Sequence, residues 1–592
     1  MKKFKKLLVS AMALLMAFSA VACGGSTGGN NGGGGGGSGD GGGAVAKNPY
    51  KLKVYSFSGG YGKDWWYDLA GRYKQETAGK EIVVNGKTYD GVDFSFTGEK
   101  DLLTGMVNSG DNAKYDILFQ EQVYYNQYIK RGNVFRDMTD VLTDVNPYEE
   151  GVRLIDKLTT QQQEYYNRDG KYYGIPHYAG YVGIVYNKSM FEGMNLYFAK
   201  DFDKELVDET SPNYNPSDCF IAKPGDPRSA GPDGVEGTDD DGLPTTYAEF
   251  YALCDIISST NKPLAWAGKY RQEYLNWFLT AMTANHEGAD QMALNYSFNG
   301  TATSLVSISE DADGNVTETK LDDLVLTPEN AKSEGYKLAQ QRGKYYALDF
   351  LETIVDNKWY KGTSFSDTDE QTAAQKEFVE GTTAFADRAA MLIEGCWWEM
   401  ESSASFRALE QAGVVNPKDD FGWFPLPAID DEAAAERANA LSDNDPSTKG
   451  YTLTDTHNSL CFISANVSND VYAIAKDFIQ FAYTDESLAR FSMITDTTKA
   501  VQYTMTPEQK AEMSAYGRSL MNMQENADIV CTFAKEEFYQ NNELILSEYR
   551  DSFSATKSEE VVVDTFKAGT SASDYFKGFL NYQQKKWKDY II

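Results

Sequence analysis

Two stocks of residues in this 592-residue chain could do chemistry. One is aromatic: 39 Tyr, 31 Phe and 9 Trp make up 13% of the chain. Most such rings go to the core, but a chain this rich in Tyr and Trp has some to stack on a ligand. The other is an acidic, glycine-rich run, Asp233-Gly234-Val235-Glu236-Gly237-Thr238-Asp239-Asp240-Asp241-Gly242. Calcium takes roughly six to eight oxygens on a tight turn, and Asp-x-Asp-Gly supplies such a turn. Set on the EF-hand register, Gly242 meets the glycine position and Asp239 and Asp241 meet ligand positions. Gly237 occupies the first position and Ala248 the last, so this is no EF-hand. Asp233, Asp239 and Asp241 are the candidate ligands of a structural calcium ion, and a solvated acidic loop is the alternative. The six cysteines contain no C-x-x-C pair, which argues against zinc ribbons and thiol redox chemistry. Three histidines are too few for a His-rich metal centre. No G-x-S-x-G sits at a strand-to-helix elbow, there is no P-loop, and no motif marks a catalytic carboxylate pair. No required cofactor is implied.

The net charge is −32. Such a surface repels phosphates, which argues against nucleic acid as a partner. The start of the chain departs from this balance. Residues 1–22 open with Lys2, Lys3, Lys5 and Lys6, continue with an apolar stretch from Leu7 to Phe18, and end in Ala20-Val21-Ala22 before Cys23. A basic segment followed by a short apolar one is a secretion signal, too short for a membrane span. Small residues directly before a Cys resemble a lipoprotein box, with Ala20 where Leu is usual. Cleavage there makes Cys23 the lipid-bearing N-terminus. Gly24 to Gly43 is nearly all glycine and cannot bury side chains, so it reads as a flexible tether reaching ~25 Å. The expected location is the extracellular face of the membrane, with the body held by its lipid.

The elements that must position the rings follow from periodicity. Leu52 to Phe57 alternates as a strand, and Trp66, Leu69, Ala70 and Tyr73 lie at helical spacing after it. Ile82–Val84, Val92–Phe96, Tyr115–Phe119 and Asp387–Ile393 read as further strands. Val471, Ile474, Ala475, Phe478, Ile479 and Ala482 form one face of a long helix. Strands alternating with helices predict an α/β architecture with largely parallel sheets. Residues 201–243 and 297–326 read as insertions, the second with a hairpin turn at Asp311-Ala312-Asp313-Gly314-Asn315.

The order of several segments resembles the extracellular solute-binding proteins of sugar ABC transporters, in the maltose-binding-like group. They are Tyr115–Gly132, the G-K-x-x-x-x-P…Y-N-K stretch from Gly170 to Lys188, Gln272-Glu273-Tyr274-Leu275-Asn276-Trp277, and A-A-M-x-I-x-G-x-W from Ala389 to Trp397. Ala475–Thr495 matches more weakly. The resemblance implies a two-lobed periplasmic-binding-protein-like fold of class II type, with lobes joined by crossover strands and closing on ligand by a hinge. The lobes would be discontinuous. Residues 1–22 are the signal peptide and 23–47 the lipidated Cys and linker. Lobe 1 takes 48–180 and 446–505. Lobe 2 takes 181–445 with both insertions, and 506–592 adds to lobe 2 and supplies C-terminal helices. A monomer delivering an oligosaccharide to membrane permease subunits is the implied partnership.

Sugars offer hydroxyl edges and apolar C–H faces, which aromatic rings, amides and carboxylates hold. In open α/β sheets the ligand lies beyond the carboxyl ends of strands. By that rule and the resemblance, Trp397 is the stacking platform, with Trp398 beside it. Tyr274 and Gln272 are contacts at a helix start, and Trp277 one turn on reads as core. Gln120 and Glu121 follow a strand. His177 and Tyr178 sit at the crossover, and Tyr61 and Trp65 follow the first strand. The maltose branch often has a carboxylate where Gly180 stands, so the exact sugar stays open. A malto-oligosaccharide is the reading by analogy. A tethered glycoside hydrolase and a glycan-binding adhesin without a transporter are the alternatives.

Overall fold

The computed structural model describes residues 48–57, 59–99, 103–121, 123, 125–327, 329–381, 387–442, 448–457, 459–532, 553 and 561–590. Cys23 and the glycine-rich stretch after it lie outside the described residues.

The first strand, β1 (Tyr50–Phe57), buries Leu52 and Val54 completely. Helix α1 (Asp64–Glu76) follows and turns Trp66, Leu69 and Tyr73 inward, the stripe its spacing predicts. Next come β2 (Val92–Glu99), β3 (Ile117–Gln120) and the two-residue β4 (Ile175–Pro176). The chain then crosses into β5 (Val182–Asn187), α2 (Tyr247–Ser258), β6 (Lys262–Ala265) and α3 (Arg271–Ser297). Strand β7 (Ala389–Gly395) runs two residues past its predicted end, and β8 (Phe421–Phe424) and α4 (Asp431–Ser442) follow. The chain returns through β9 (Tyr451–Asp455), β10 (Leu460–Ile463), α5 (Asn469–Ala482), α6 (Ala515–Glu525) and β11 (Ala527–Cys531).

Two separate sheets result. One has the order β2-β1-β3-β10-β4, the other β8-β5-β7-β6. Neither is largely parallel, which corrects the sequence expectation. In the first, β1 pairs parallel with β2 and β3, but β10 pairs antiparallel with β3 and β4. In the second, β7 is parallel only to β6, while β5 runs antiparallel to both β7 and β8. The reason is the crossing itself: β5 and β10 enter their sheets from the other half of the molecule rather than through a local βαβ unit. A third, two-stranded ribbon pairs β9 with β11 in parallel.

The insertion at 297–326 holds the expected hairpin. Val306–Glu310 pairs antiparallel with Val316–Lys320, and Asp311 Oδ1 accepts from the amides of Asp313 and Asn315 to close the turn.

Helix α5 shows how periodicity becomes packing. Ser468 caps it by accepting from the Val471 amide, and Val471, Ile474, Ala475, Phe478, Ile479 and Ala482 are its buried face. The Phe478 ring lies 5.9, 5.1 and 5.0 Å from those of Trp66, Tyr73 and Phe94. Phe478→Ala would leave a cavity among rings that cannot collapse into it. Its expected cost is about 3–5 kcal/mol, read as the loss in unfolding free energy by urea titration.

Candidate functional site

Four chain segments that are distant in sequence end at one place. The loop after β1 brings Gly60 and Tyr61, the end of β3 brings Glu121, the β4–β5 crossover brings Tyr178, and the end of β7 brings Trp397. The packing is close enough to dictate glycines. A Cβ on Gly60 would lie 2.6 Å from Trp397 Cβ, and one on Gly395 would strike the Trp397 indole. The Tyr61 and Tyr178 rings are 4.0 Å apart, and Tyr61 OH donates to the Ala179 carbonyl at 2.6 Å. Tyr178 OH donates to the Glu121 carboxylate.

The residue that joins the two sides is His457, which the sequence reading counted among the histidines but did not place in the site. Its ring stands edge-on to Trp397 at 4.4 Å, and its Nε2 is 3.6 Å from Glu121 Oε1. It also explains Gly180: a Cβ there would fall inside the His457 imidazole. A carboxylate cannot stand at position 180 because this ring already fills the space. The available signal was a chemistry-bearing side chain two residues past a β-branched strand.

On the second sheet's side, Glu394 at the end of β7 accepts from the Gly395 amide at 2.9 Å and from Gln375 Nε2 at 3.2 Å. The same Gln375 nitrogen donates to Glu401 at 2.7 Å. Tyr274, on the first turns of α3, lies beside both carboxylates and 6.4 Å from the Trp397 ring. Trp277 is half-buried and 6.1 Å from Trp397, edge-on, so it is closer to the site than a core assignment allows. The gathered set is the rings of Tyr61 and Tyr178, joined through His457 to those of Trp397, Tyr274 and Trp277, and three carboxylates served by tyrosine hydroxyls and amides. Such a surface offers faces for apolar C–H groups and acceptors for hydroxyls.

The other sequence candidates fall behind this wall or away from it. Gln120 is buried at the end of β3; its amide donates to the Glu121 carbonyl at 3.3 Å, and its Oε1 has no partner among the described residues. Gln272 is half-buried on the first turn of α3. Trp65 packs between Phe119, His177 and Phe491 and donates to the Gly62 carbonyl at 3.2 Å. His177 is fully buried with its Nδ1 2.7 Å from Lys499 Nζ. Burial pushes both of these bases well below their ordinary values, and the pair packs as part of the core. Trp398 is completely buried among Phe378, Phe406, Phe421 and Tyr516. It is core, because the helix that starts after Trp397 turns the next side chain away from the site.

The acidic loop serves its own backbone. Asp233 Oδ1 accepts from the Val235 amide, Asp240 from the Asp233 amide, and Asp241 from the Gly237 amide. Asp240, not Asp239, is the acid turned inward, and burial pushes it up to about 7. Among the described residues no group of three or more His, Cys, Asp or Glu is placed to hold a metal ion. The structure gives the calcium reading of Asp233, Asp239 and Asp241 no support.

Burial governs the site's protonation. It pushes Glu121 up to about 8, helped by the charges of Glu401 and Asp455 and opposed by the Tyr178 hydroxyl. It pushes Glu394 well above the carboxylate range and holds His457 neutral, down at about 3. A carboxyl that binds its proton more tightly folded than unfolded stabilises the packed form at low pH. That contribution is complete below the ordinary glutamate value and is lost as pH rises through about 8. The wild-type melting temperature should therefore fall between pH 5 and pH 9, and Glu121→Gln should flatten that fall. An equal slope in the variant would assign the pH dependence to other groups.

Residues 87–513 match the family described as bacterial extracellular solute-binding protein. No curated protein sequence matches the chain. Solved structures that resemble it include a chitin oligosaccharide binding protein, at 14% identity and TM-score 0.47, covering 91% of this chain and 100% of that one. RafE from Streptococcus pneumoniae shows 12% identity and TM-score 0.47, over 91% of this chain and 98% of that one. A structure described under xylan utilisation by Caldanaerobius polysaccharolyticus shows 14% identity and TM-score 0.49, over 90% and 99%. The match over residues 87–513 spans most of the chain, and with the two-lobed α/β fold it places this protein in the bacterial extracellular solute-binding protein family.

Proposed function

We propose that the protein binds an oligosaccharide between its two lobes and delivers it, unchanged, to the permease subunits of an ABC transporter. The observation that carries this is the convergence of Trp397, Tyr61 and Tyr178 with Glu121, Glu394 and Glu401 where the two sheets' strands end. Rings supply platforms for sugar C–H faces, and the carboxylates supply acceptors for hydroxyls. Trp397 is only 5% exposed, so a ligand reaches it when the halves part and is enclosed when they meet. Members of this family act outside the cell. With Cys23 as a lipid anchor and the glycine tether after it, the body would work, as a monomer, at the extracellular face of the membrane.

The sugar to test first is a malto-oligosaccharide series, followed by oligomers of xylan, mannan and galactan. Calorimetric titration of the chain against this panel should give one clear ligand with 1:1 stoichiometry. Trp397→Ala should weaken it by about 30-fold or more, as expected for a buried aromatic anchor. Trp398→Ala should act on stability instead. Full affinity in Trp397→Ala would overturn the site. Steady release of reducing ends during the titration would replace binding by hydrolysis, and unchanged sugar uptake on deletion would leave a surface adhesin.

A further inference from the structure

Beside the far part of α3 lies a cavity of about 340 Å3, lined in part by Tyr247, Asn285, Pro427, Ile429, Arg437 and Lys449. Arg437, on α4, is 6% exposed. Its Nη1 donates to the Leu426 carbonyl at 2.9 Å and its Nη2 to Asn285 Oδ1 at 3.1 Å, and its guanidinium lies 5.1 Å over the Tyr451 ring. These are two of its five N–H donors, and none of the partners carries a negative charge. Lys157 and Lys361 are equally buried, yet each sits on two carboxylates. A buried cation without a counter-charge is a costly arrangement that a protein keeps when something supplies the charge.

The acids nearby do not supply it. Asp240 is the carboxyl that Arg437 feels most, but it is held by the Thr238 hydroxyl and the Asp233 amide and is itself pushed up by burial. Glu287 faces the Gly343 amide at 2.6 Å and the Ser304 hydroxyl. Glu436, exposed on α4, also lines the cavity but makes no ion pair with Arg437. His286 is kept neutral by burial. Lys449, the second cation of the lining, donates to the Glu525 carbonyl at 2.7 Å and lies within electrostatic reach of the Asp528 carboxylate.

We propose that this cavity is a second ligand site that takes a small organic oxyanion, a carboxylate or a phosphate monoester, with Arg437 as its counter-charge. The planar guanidinium fork matches two oxygens of either group. The volume is far larger than the ~30 Å3 share of one water molecule, and Pro427, Ile429 and Tyr247 give an organic body apolar wall. The site is separate from the aromatic one. Asn285 is eleven residues along α3 from Tyr274, ~16 Å at the helical rise. The inference therefore does not rest on the sugar reading.

The test is calorimetric titration and thermal shift of the full chain with sodium phosphate, citrate, glucuronate and glucose 6-phosphate, against sodium chloride at matched ionic strength. At least one organic anion should bind saturably at 1:1 and raise the melting temperature beyond the chloride control. Arg437→Met should weaken it by about 30-fold or more, the loss expected on removing a buried charge partner. Trp397→Ala should leave it within about twofold, a change below 0.5 kcal/mol by the same conversion. If Arg437→Met does not fold, Lys449→Met tests the same site at its rim and should weaken binding measurably. No saturable binding of any probe, or unchanged affinity in the variant that folds, overturns the proposal. Loss of anion binding in Trp397→Ala would do the same by placing the anion in the cleft.

Discussion

One buried carboxylate organises the middle of this molecule. Asp455, at the end of β9, accepts from the Gly180 amide at 2.9 Å and from the His457 amide at 3.1 Å. Those amides belong to two of the segments that pass between the sheets. Thr456 reinforces the contact by donating its amide to the Gly180 carbonyl at 2.9 Å. Buried backbone groups need partners, and here one side chain and one backbone pairing serve both segments. The geometry that follows is the site: His457 is set against Trp397 and Glu121, and position 180 is left room for nothing larger than glycine.

The carboxylates of the site show why a binding surface of this kind is held so tightly. Glu121 and Glu394 are desolvated by burial, and the charge of half-buried Glu401 raises both further. Each has a donor: a tyrosine hydroxyl for Glu121, an amide and Gln375 for Glu394, and the same Gln375 for Glu401. The donors come from both halves of the molecule. Each donor sits in the same half as the acid it serves, so the acceptors are oriented within each half rather than by the meeting of the two.

Much of this was readable in the chain. The alternation at β1, the stripe on α5 and the hairpin at Asp311 are local patterns, and local patterns report local structure. The A-A-M-x-I-x-G-x-W segment led to Trp397 through its resemblance to the family pattern. Trp398 and Trp65 were less legible, because a strand end or helix start fixes that a ring is present but not which way it faces. One residue of rotation separates the aromatic wall from the core. Strand direction also escaped: β5 and β10 pair antiparallel because of where their chain comes from, which no window of sequence contains.

The sequence by itself determined the class of molecule: an acidic, secreted-looking α/β chain rich in rings, with helices and strands set by hydrophobic period. Period and composition are properties of neighbours along the chain. Only the tertiary structure decided which residues share a site. His457 and Glu394 joined it, His177 and Trp398 withdrew to the core, and Asp233, Asp240 and Asp241 turned to amides of their own loop. It also left Arg437 beside a cavity with no carboxylate in ion-pair contact among the described residues. These outcomes depend on contacts between residues up to several hundred positions apart, and burial, which sets their charge states, exists only once those contacts have formed.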